Sequence, residues 1–379
     1  MEKNDPLRVV VTAPLGIGGI TTMMINIQKH LDREKVKFDY LVIHEGPLPM
    51  DDVVKELGSR KLIASADDVN FRPFRRIVRI GRIRRVCKEE HVEIVHFNGS
   101  DAFILTNIIG AKLGGVKYIV LHSHNGGYGQ TKKIIRVMSE ICKPFLPLFC
   151  DEYLGCSKLA AEFLFPKSII KKGNYKVITN GIDIEKYEYK PAVRASVRKE
   201  LGIEDNYVVI HAGRFSAQKN HKFLIDIFTA VYKKDKSAVL LLFGEGELTE
   251  NIKKKVEDLG LSGAVRFMGT TDRMHEMWQA ADVFLMPSLH EGLPVAGIEA
   301  QTSGLPCVFS DTITKEVDIS SKSAFLSLND SAEKWAETVL SCKGQERING
   351  RDAARVAHYD IQETADTMTE IYLNLGKKK

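Results

Sequence analysis

The sequence predicts an α/β protein built from two Rossmann-like, doubly wound domains that face each other across a cleft. Short apolar runs that suit buried parallel strands alternate with helical patterns along both halves of the chain. Polar and glycine-containing segments follow directly after several of these runs, at the strand ends where open parallel sheets bind their ligands. A chain of 379 residues is long enough to form two such cores.

Composition narrows the class of protein further. The chain is 44% hydrophobic and 27% charged, as expected for a globular protein. No apolar run approaches the ~20 residues that cross a bilayer, and the polar start lacks a secretory signal pattern, so we expect a cytoplasmic protein. The six cysteines show no metal-ligand spacing, which indicates reduced and mostly buried thiols.

The first strand of the N-terminal half is predicted at Leu7–Ala13. It is followed by Gly16, Gly18 and Gly19 and then by a helical pattern over Met23–Leu31. Strand, glycine-rich turn and helix open a nucleotide-binding type of domain. The glycines do not match the dinucleotide fingerprint, so a tight turn that needs positive φ is the alternative interpretation.

Residues 71–90 differ from the rest of the half because arginines alternate with apolar residues at near-helical spacing. The arginines are Arg75, Arg76, Arg79, Arg82 and Arg85. One interpretation is a basic amphipathic helix on an anionic membrane surface, and the other is a surface helix with its apolar face on the core. Residues 132–150 are basic and then apolar, and the same two interpretations hold there. No aromatic stacking platform accompanies the arginines, which disfavours nucleic acid as a partner.

Two histidines follow the strand predicted at Tyr118–Leu121. His122 and His124 lie at a strand carboxyl end, where ligands bind. No carboxylate or cysteine is close enough in sequence to complete a metal site with them, and a packed structural role is the alternative for each.

The second half begins after 187–205, a charged segment that we interpret as an interdomain linker with a short helix. Arg214 and Lys219 then follow a strand predicted at Tyr207–Ala212 and precede a helix. Two cations beside a helix N-terminus can neutralise a diphosphate without a metal ion. Solvated surface cations are the alternative.

The most informative stretch is 284–311, which predicts strand, loop, helix and strand in that order. Pro294 suits the first helical position, and Gly304 suits the C-cap. The uncompensated amides of Leu293, Val295 and Ala296 would make an anion site.

Two carboxylates, Glu291 and Glu299, flank this predicted anion site. Amides suit phosphates and carboxylates suit sugar hydroxyls, so a sugar nucleotide fits both. An ordinary βαβ unit with two solvated glutamates is the alternative.

The string as a whole resembles the Glu–seven residues–Glu signature of retaining GT-B glycosyltransferases of the family 4, group 1 type. The matching residues are Glu291, Gly292, Leu293, Pro294, Glu299, Ala300, Gly304, Pro306 and Val308. This resemblance spans nearly the whole chain and is more specific in the second half.

The resemblance implies a role for each site residue. Arg214 and Lys219 would stabilise the departing diphosphate together with the amides of 293–295, and Glu299 would accept hydrogen bonds from the ribose. Glu291 and His124 would hold the donor sugar, with His122 packed behind. The implied catalytic residues are His124, Glu291, Arg214 and Lys219. The implied donor-binding residues are Gly18, Gly19, Arg214, Lys219, Met268, Gly269, Thr270, Glu291, Gly292, Leu293, Pro294, Val295 and Glu299.

The resemblance also implies the reaction and the domain plan. We expect transfer of a sugar from a UDP-sugar to a lipid-linked saccharide in capsule or exopolysaccharide synthesis, by same-face substitution, with no metal or other cofactor. The alternatives are a sugar-nucleotide epimerase and a non-catalytic sugar-nucleotide-binding subunit. The expected parts are an acceptor domain over 1–183, a donor domain over 184–358 and a returning C-terminal helix over 359–379. Peripheral contact of 71–90 with the inner face of the plasma membrane stays open.

Overall fold

The computed structural model describes residues 5–16, 18–128 and 131–377. The chain divides into two compact units, one formed by the N-terminal residues up to Gly181 together with the C-terminal segment from Ile361, and the other formed by Ile182–Asp360. In the described part of the chain no helix is both long and apolar enough to span a membrane.

Unit 1 contains a fully parallel sheet that has seven strands within the described residues. The strands are β1 (Leu7–Thr12), β2 (Val36–Val42), β3 (Lys61–Ile63), β4 (Ile94–Gly99), β5 (Tyr118–Ser123), β6 (Glu152–Gly155) and β7 (Lys176–Val177). Their spatial order is β3-β2-β1-β4-β5-β6-β7. The order reverses direction beside β1, so the predicted doubly wound plan is confirmed for this half.

Helices cover the sheet of unit 1. They are α1 (Gly19–His30), α2 (Asp51–Glu56), α3 (Arg72–Glu89), α4 (Leu105–Leu113), α5 (Lys133–Cys142), α6 (Lys158–Leu164) and α7 (Lys167–Lys172), with 3₁₀ turns at Ala102–Ile104 and Lys143–Leu148. Ser157 caps α6, because its side chain accepts a hydrogen bond from the Ala160 amide.

The last helix of the chain belongs to unit 1, although Ile182–Asp360 precedes it. This helix, which we number α16 (Ile361–Lys377), packs against α1, β1 and β2. Tyr372 and Leu375 are fully buried in that core. The Tyr372 hydroxyl is 2.7 Å from Nδ1 of the buried His96 on β4, which fixes the helix to the sheet by a polar contact as well.

Unit 2 contains a second fully parallel sheet, with six strands in the part of the chain that is described. They are β8 (Tyr207–Ala212), β9 (Ala238–Phe243), β10 (Val265–Gly269), β11 (Val283–Met286), β12 (Cys307–Ser310) and β13 (Ala324–Leu326). Their order, β10-β9-β8-β11-β12-β13, also reverses direction beside one strand, β8. The second half is therefore Rossmann-like too.

The helices of unit 2 complete its two covering layers. They are α8 (Ile184–Tyr187), α9 (Pro191–Leu201), α10 (His221–Lys234), α11 (Thr249–Asp258), α12 (Met274–Ala280), α13 (Val295–Thr302), α14 (Ala332–Ser341) and α15 (Gly350–Val356), with 3₁₀ turns at Ala217–Lys219 and Lys315–Val317.

The prediction that 187–205 is an interdomain linker was wrong, whereas the short helix predicted within it is present as α9. Helix α9 packs against α12, and both belong to unit 2. Arg198 is buried there and donates to the Ala280 carbonyl at 2.8 Å, while Arg194 donates to the Ala281 carbonyl at 2.7 Å. The charged side chains thus donate to the buried carbonyls at the C-terminal end of α12, which have no partner within the helix, instead of facing water.

Helix α3 forms over the basic segment, but its arginines do not make one solvated face. The Arg76 guanidinium lies 3.7 Å from the ring centroid of Phe103, and Arg82 pairs with Asp68 at 2.6 Å. Phe74 and Ile77 are exposed instead. The first half of α3 therefore exposes two apolar side chains, while Ile83 and Cys87 in its second half are buried in the core of unit 1, as the interpretation of a surface helix with its apolar face on the core requires.

Candidate functional site

The candidate site of unit 2 lies along the carboxyl edge of its sheet. The segments after β8, β9, β10 and β11 all emerge at this edge, because the four strands are parallel. Residues Arg214 and Lys219 follow β8, the segment Met268–Thr270 ends β10, and Glu291 follows β11. The sheet therefore gathers most of the predicted donor-binding residues on one edge.

Lys219 and Glu291 form the central ion pair of this edge. Lys219 Nζ is 2.8 Å from Glu291 Oε1, and their side chains are only 17% and 9% exposed. The Lys219 chain passes over Gly213, where a Cβ atom would lie 3.0 Å from Lys219 Cδ and Cε. Gly213 thus leaves room for the lysine to reach Glu291, whose second oxygen is 3.3 Å from Gln218 Nε2.

Arg214 is arranged differently from Lys219. Its side chain is 74% exposed and pairs with Glu247 at 3.2 Å, a contact that is itself open to water. The two predicted phosphate-binding cations therefore pair with different carboxylates. Arg214 is free to exchange its partner at little cost, because exposed ion pairs contribute about 0–1 kcal/mol.

The start of α13 departs from the prediction in one detail. Pro294 occupies the N-cap, with φ −75° and ψ 107°, so Val295 and not Pro294 is the first helical residue. Proline has no polar side chain, and no side-chain cap is found at this helix end in the described structure. The first-turn amides, with Gly292 exposed and Leu293 and Val295 half-buried beside them, are consequently left for a ligand. Gly304 ends the helix in the left-handed region at φ +69°, as predicted.

Glu299 is held inside α13 by two hydrogen-bond donors. The Tyr187 hydroxyl donates to Glu299 Oε1 at 2.9 Å, and Trp278 Nε1 donates to Oε2 at 3.2 Å. Burial raises the pKa of Glu299, while both hydrogen bonds act to lower that pKa. The carboxylate is thus fixed in orientation and retains lone pairs for a further donor.

The segment that the resemblance assigns to the base lies at the end of β10. Gly269 has φ +65°, and its carbonyl accepts a hydrogen bond from the Gly244 amide at 2.8 Å. Met268 packs against the core, whereas Thr270 is exposed. Because Gly269 takes a left-handed turn, the backbone after β10 can present polar groups at the sheet edge.

A buried histidine pair lies behind Lys219. His211 and His221 have ring centroids 4.8 Å apart, and His221 also stacks on Phe215 at 4.1 Å. Burial, together with the smaller effect of the nearby Lys219 charge, lowers the pKa of His221 to about 4. Both rings are therefore neutral at pH 7, which keeps a second positive charge away from Lys219.

In unit 1, His124 follows β5 and is oriented by a neighbouring strand. Its Nε2 is 2.7 Å from Asn98 Oδ1, and the Asn98 amide group donates in turn to the Thr12 carbonyl at 2.7 Å. Burial lowers the pKa of His124 to about 4, so the imidazole is neutral at pH 7. His122 is fully buried with its ring 4.3 Å from that of His124, which confirms the prediction that it is packed.

Gly18 and Gly19 begin α1 at the same edge of unit 1. Gly18 is extended at φ −177°, and Gly19 is the first helical residue. The alternative of a turn that needs positive φ is therefore wrong for this pair. An added Cβ atom would meet no heavy atom within 4 Å at either glycine. The space beside both residues is open, as close approach of a ligand requires.

Comparison with known proteins identifies the family. A family model described as Glycosyl transferases group 1 matches residues 193–352, and one described as Glycosyltransferase Family 4 matches residues 17–186. The glycosyltransferase named EpsF of Bacillus subtilis (strain 168) is 30% identical over 380 residues, which is 97% of this chain and 96% of that protein. The chain belongs to the group 1, family 4 glycosyltransferases.

The chain is also similar to an enzyme of Escherichia coli in sequence and to an Anabaena protein in structure. The UDP-Gal:alpha-D-GlcNAc-diphosphoundecaprenol alpha-1,3-galactosyltransferase of Escherichia coli is 29% identical over 234 residues, 60% of each chain. The crystal structure of Anabaena Alr3699/HepE in complex with UDP-glucose matches with a TM-score of 0.76 and 16% identity, over 97% of this chain and 100% of that chain. The fold is therefore GT-B, with two Rossmann-like units.

Sequence reasoning missed the residues that orient the predicted site of this glycosyltransferase. They are Asn98 beside His124, Tyr187 and Trp278 on Glu299, and Gln218 beside Glu291. Asn98 carried a usable signal, since it follows the mostly apolar run 92–97, which suits a buried strand. Among the described residues no group of three or more His, Cys, Asp or Glu is arranged to hold a metal ion.

Proposed function

We propose that this glycosyltransferase transfers a sugar from a UDP-sugar to a lipid-linked saccharide in bacterial polysaccharide synthesis, with retention of anomeric configuration. The observation that carries the proposal is the N-terminus of α13, which has no side-chain cap. The Lys219–Glu291 ion pair lies at the same sheet edge, and Glu299 is a residue of α13 itself. Amides, a cation and two carboxylates match the phosphates and hydroxyls of such a donor.

The diphosphate would bind where positive charge is available. The amides of 293–295 and the α13 dipole face the sheet edge, and Lys219 can exchange Glu291 for a phosphate oxygen. Arg214 can leave Glu247 with little loss, because that pair is exposed. We expect these groups to stabilise the leaving diphosphate without a bound metal ion.

The remaining predicted site residues would bind the sugar and the nucleoside of the donor. Glu299 accepts the ribose hydroxyls, and the backbone of Met268, Gly269 and Thr270 contacts the base. Glu291, released from Lys219, and the neutral His124 hold the donor sugar, with Gly18 and Gly19 allowing close approach. Because none of these side chains is placed as an obvious nucleophile, we favour same-face substitution with the leaving phosphate assisting deprotonation of the acceptor.

The lipid-linked acceptor is supported by one relative. The Escherichia coli enzyme is named for a saccharide on diphosphoundecaprenol. A UDP donor is supported by the name of that enzyme and by the UDP-glucose complex of the Anabaena protein. We propose peripheral contact of 71–90 with the inner face of the plasma membrane, which would place unit 1, as the acceptor domain, near such a substrate.

The test is thermal stabilisation by a panel of nucleotides and nucleotide sugars, with and without EDTA, on the wild type, Glu299→Ala and Lys219→Ala. A ligand at 100 times its Kd should add about 2.7 kcal/mol of apparent stability. We expect UDP to stabilise the wild type in both buffers and neither variant. Stabilisation that EDTA abolishes would contradict metal independence, and equal stabilisation of the variants would contradict the assigned site.

A transfer assay then separates the proposal from its alternatives. We expect radiolabel from a UDP-sugar to pass to an undecaprenyl diphosphate-linked saccharide, and Arg214→Ala to lower turnover more than stability. An epimerase would change the sugar without an acceptor, and a binding subunit would be stabilised by the donor but transfer nothing. Either result would overturn the proposed reaction, and intact turnover in Arg214→Ala would overturn the role of that residue.

A further inference from the structure

A pocket of about 170 Å³ lies at the carboxyl edge of the unit 1 sheet. Its walls come from the ends of β1, β2 and β4, at Thr12, Leu41 and Asn98, and from α3 and α4. Strand β1 has β2 on one side and β4 on the other, so the strand order changes direction there. Ligands of open parallel sheets bind in the crevice at such a point. We call this space the switch pocket.

The buried residues that line the switch pocket are apolar. They are Ala13, Leu41, Ile83 and Phe97, and each is at most 5% exposed. His44 also lines the pocket and is exposed, so the space opens to water on that side. An apolar cavity of ~150 Å³ can hold a benzene ring, and the switch pocket therefore has room for a compact apolar group of a ligand.

Two asparagines of the switch pocket differ in what they already bind. The Asn98 side chain donates to the Thr12 carbonyl at 2.7 Å, and its Oδ1 is 2.7 Å from His124 Nε2. The Asn107 side chain on α4 is half-buried, and no hydrogen-bond partner for it is found in the described part of the chain. Asn107 therefore offers a ligand both an amide donor and a carbonyl acceptor.

Asn98 places the switch pocket beside the predicted site of unit 1. The same side chain lines the pocket and contacts His124, which we propose to hold the donor sugar. The acceptor is the molecule that must approach the donor sugar, because its hydroxyl attacks the anomeric carbon. The pocket is therefore positioned to hold part of the acceptor.

An acetamido group matches the chemistry of the switch pocket. Its methyl group suits the apolar lining, and its N–H and C=O suit the two polar atoms of the Asn107 side chain. An unsubstituted hexose has a hydroxyl in the same place, which would be buried against apolar residues at a cost. An alkyl chain would suit the lining but would leave the Asn107 amide without a partner.

We propose that the switch pocket binds the acetamido group of the sugar that receives the transferred residue. Acceptors that end in an N-acetylated amino sugar are then preferred over those that end in a hexose. The inference rests on the proposed transfer to a lipid-linked saccharide, and it adds the chemical class of the terminal sugar of that saccharide.

The test compares the binding of three soluble probes to the full-length protein, with and without UDP. They are N-acetylhexosaminyl octyl diphosphate, hexosyl octyl diphosphate and octyl diphosphate, with each glycosyl probe in the gluco and the galacto configuration. Saturation-transfer NMR and titration give the contact sites and the Kd values. We expect an N-acetylated probe to bind about tenfold or more tightly than its hexosyl counterpart, with its acetyl methyl group most strongly saturated.

Two variants locate this preference in the switch pocket. Asn107→Leu keeps the size of the side chain but removes the amide, and it should weaken binding of the N-acetylated probe about tenfold. Ile43→Phe enlarges a half-buried lining residue and should weaken the same probe by filling the space. Neither variant should change binding of the hexosyl probe or stabilisation by UDP.

The matched control is Asn26→Leu on α1. Asn26 is also a half-buried asparagine in a helix of unit 1, but it does not line the switch pocket. The same substitution there should leave the preference for the N-acetylated probe unchanged, so a general effect of replacing asparagine by leucine is separated from the loss of the pocket amide.

Three results would overturn the inference. They are binding of the N-acetylated probe that is no tighter than that of the hexosyl probe, a preference that persists in both pocket variants, and octyl diphosphate binding that Ile43→Phe abolishes. The last result would assign the pocket to the lipid chain. Each of them leaves the proposed transfer reaction standing, whereas failure of UDP to stabilise the wild type would contradict the proposed donor site and not the acceptor preference.

Discussion

Tyr187 and Glu299 are 112 residues apart in the chain, yet the Tyr187 hydroxyl donates a hydrogen bond to Glu299 Oε1 at 2.9 Å. Trp278 donates to the other carboxylate oxygen at 3.2 Å. Two fixed donors leave the Glu299 side chain a single orientation, so that it can meet a ligand hydroxyl without first being ordered.

Removing the Tyr187 hydroxyl should therefore weaken donor binding. We expect Tyr187→Phe to raise the donor KM about tenfold, because a hydrogen bond to a charged group contributes ~1.5–3 kcal/mol, with little change in kcat. The preference for a UDP-sugar over its 2′-deoxyribose analogue should shrink in the same variant. Steady-state kinetics with both donors measures this, and Tyr232→Phe on α10 is the control. A fall in kcat with unchanged KM would show that Tyr187 does not act through the ribose contact.

The Lys219–Glu291 pair should couple energetically. Lys219→Ala leaves Glu291, which is 9% exposed, without its cation, and we expect a loss of about 2–4 kcal/mol in the free energy of unfolding. The double variant Lys219→Ala/Glu291→Ala should be more stable than Lys219→Ala, since it removes the unpaired charge. Urea denaturation of the wild type, Lys219→Ala, Glu291→Ala and the double variant gives a double-mutant cycle. Strictly additive losses would mean that the ion pair contributes nothing.

Stability should fall in mild acid because several buried histidines are neutral in the folded protein. Burial lowers the pKa of His96 to about 3 and those of His124 and His221 to about 4. Below pH ~6.5 the histidines of the unfolded chain bind protons that the folded protein does not. The free energy of unfolding is therefore at its full value above that pH and falls as the pH decreases toward 4. Each of these histidines should lower the free energy of unfolding by about 2 kcal/mol between pH 7 and pH 5.

The variant His221→Phe tests this pH dependence, because phenylalanine keeps the stacking on Phe215 but cannot be protonated. We expect its loss of stability between pH 7 and pH 5 to be smaller than that of the wild type by about 2 kcal/mol. His290→Gln, at an exposed position, should lose as much as the wild type. Urea denaturation at both pH values gives the difference, and an unchanged loss in His221→Phe would contradict the assignment.

Gly304 should tolerate alanine less well than a second glycine of the same conformation. Gly304 has φ +69° and a Cβ atom there would lie 2.4 Å from the Ile348 carbonyl oxygen, whereas Gly260 has φ +68° with no atom within 4 Å. Gly260→Ala should cost about 1 kcal/mol from backbone strain alone. Gly304→Ala should cost at least ~2 kcal/mol more because of the clash. Equal melting temperatures for the two variants would contradict this account.

Sequence reasoning found the parts of the site that are local in the chain. The strand, loop and helix around Glu291 and the left-handed Gly304 depend on residues within one short stretch, where turn and cap chemistry are directly readable. Pro294 was misplaced by one position, since the N-cap and first helical residue differ only in ψ. The contacts of Glu299 with Tyr187 and Trp278 join distant segments, and no local pattern could have indicated them.

Charge patterns in the sequence predicted the structure less reliably than turn and cap patterns did. The charged residues around α9 suggested an interdomain linker, and the arginines of α3 allowed a basic membrane-facing surface as one of two interpretations. Arg198 instead binds backbone carbonyls in the interior, and Arg76 stacks on Phe103. Guanidinium groups carry apolar faces and several donors, so they can be buried where carbonyls or rings meet them. Composition alone does not distinguish these arginines from solvated ones.

Helix α16 closes the core of unit 1 with residues such as Tyr372 and Leu375, although they are made only after the whole of unit 2. On the ribosome, Ile182–Asp360 emerges as an uninterrupted segment and can fold as soon as it is free. The sheet that begins at Leu7 meanwhile keeps one apolar face uncovered until α16 has been synthesised, which takes on the order of 10 s or longer at ~5–20 residues per second. Unit 1, whose sheet is synthesised before unit 2, therefore completes its core only when α16 emerges after unit 2.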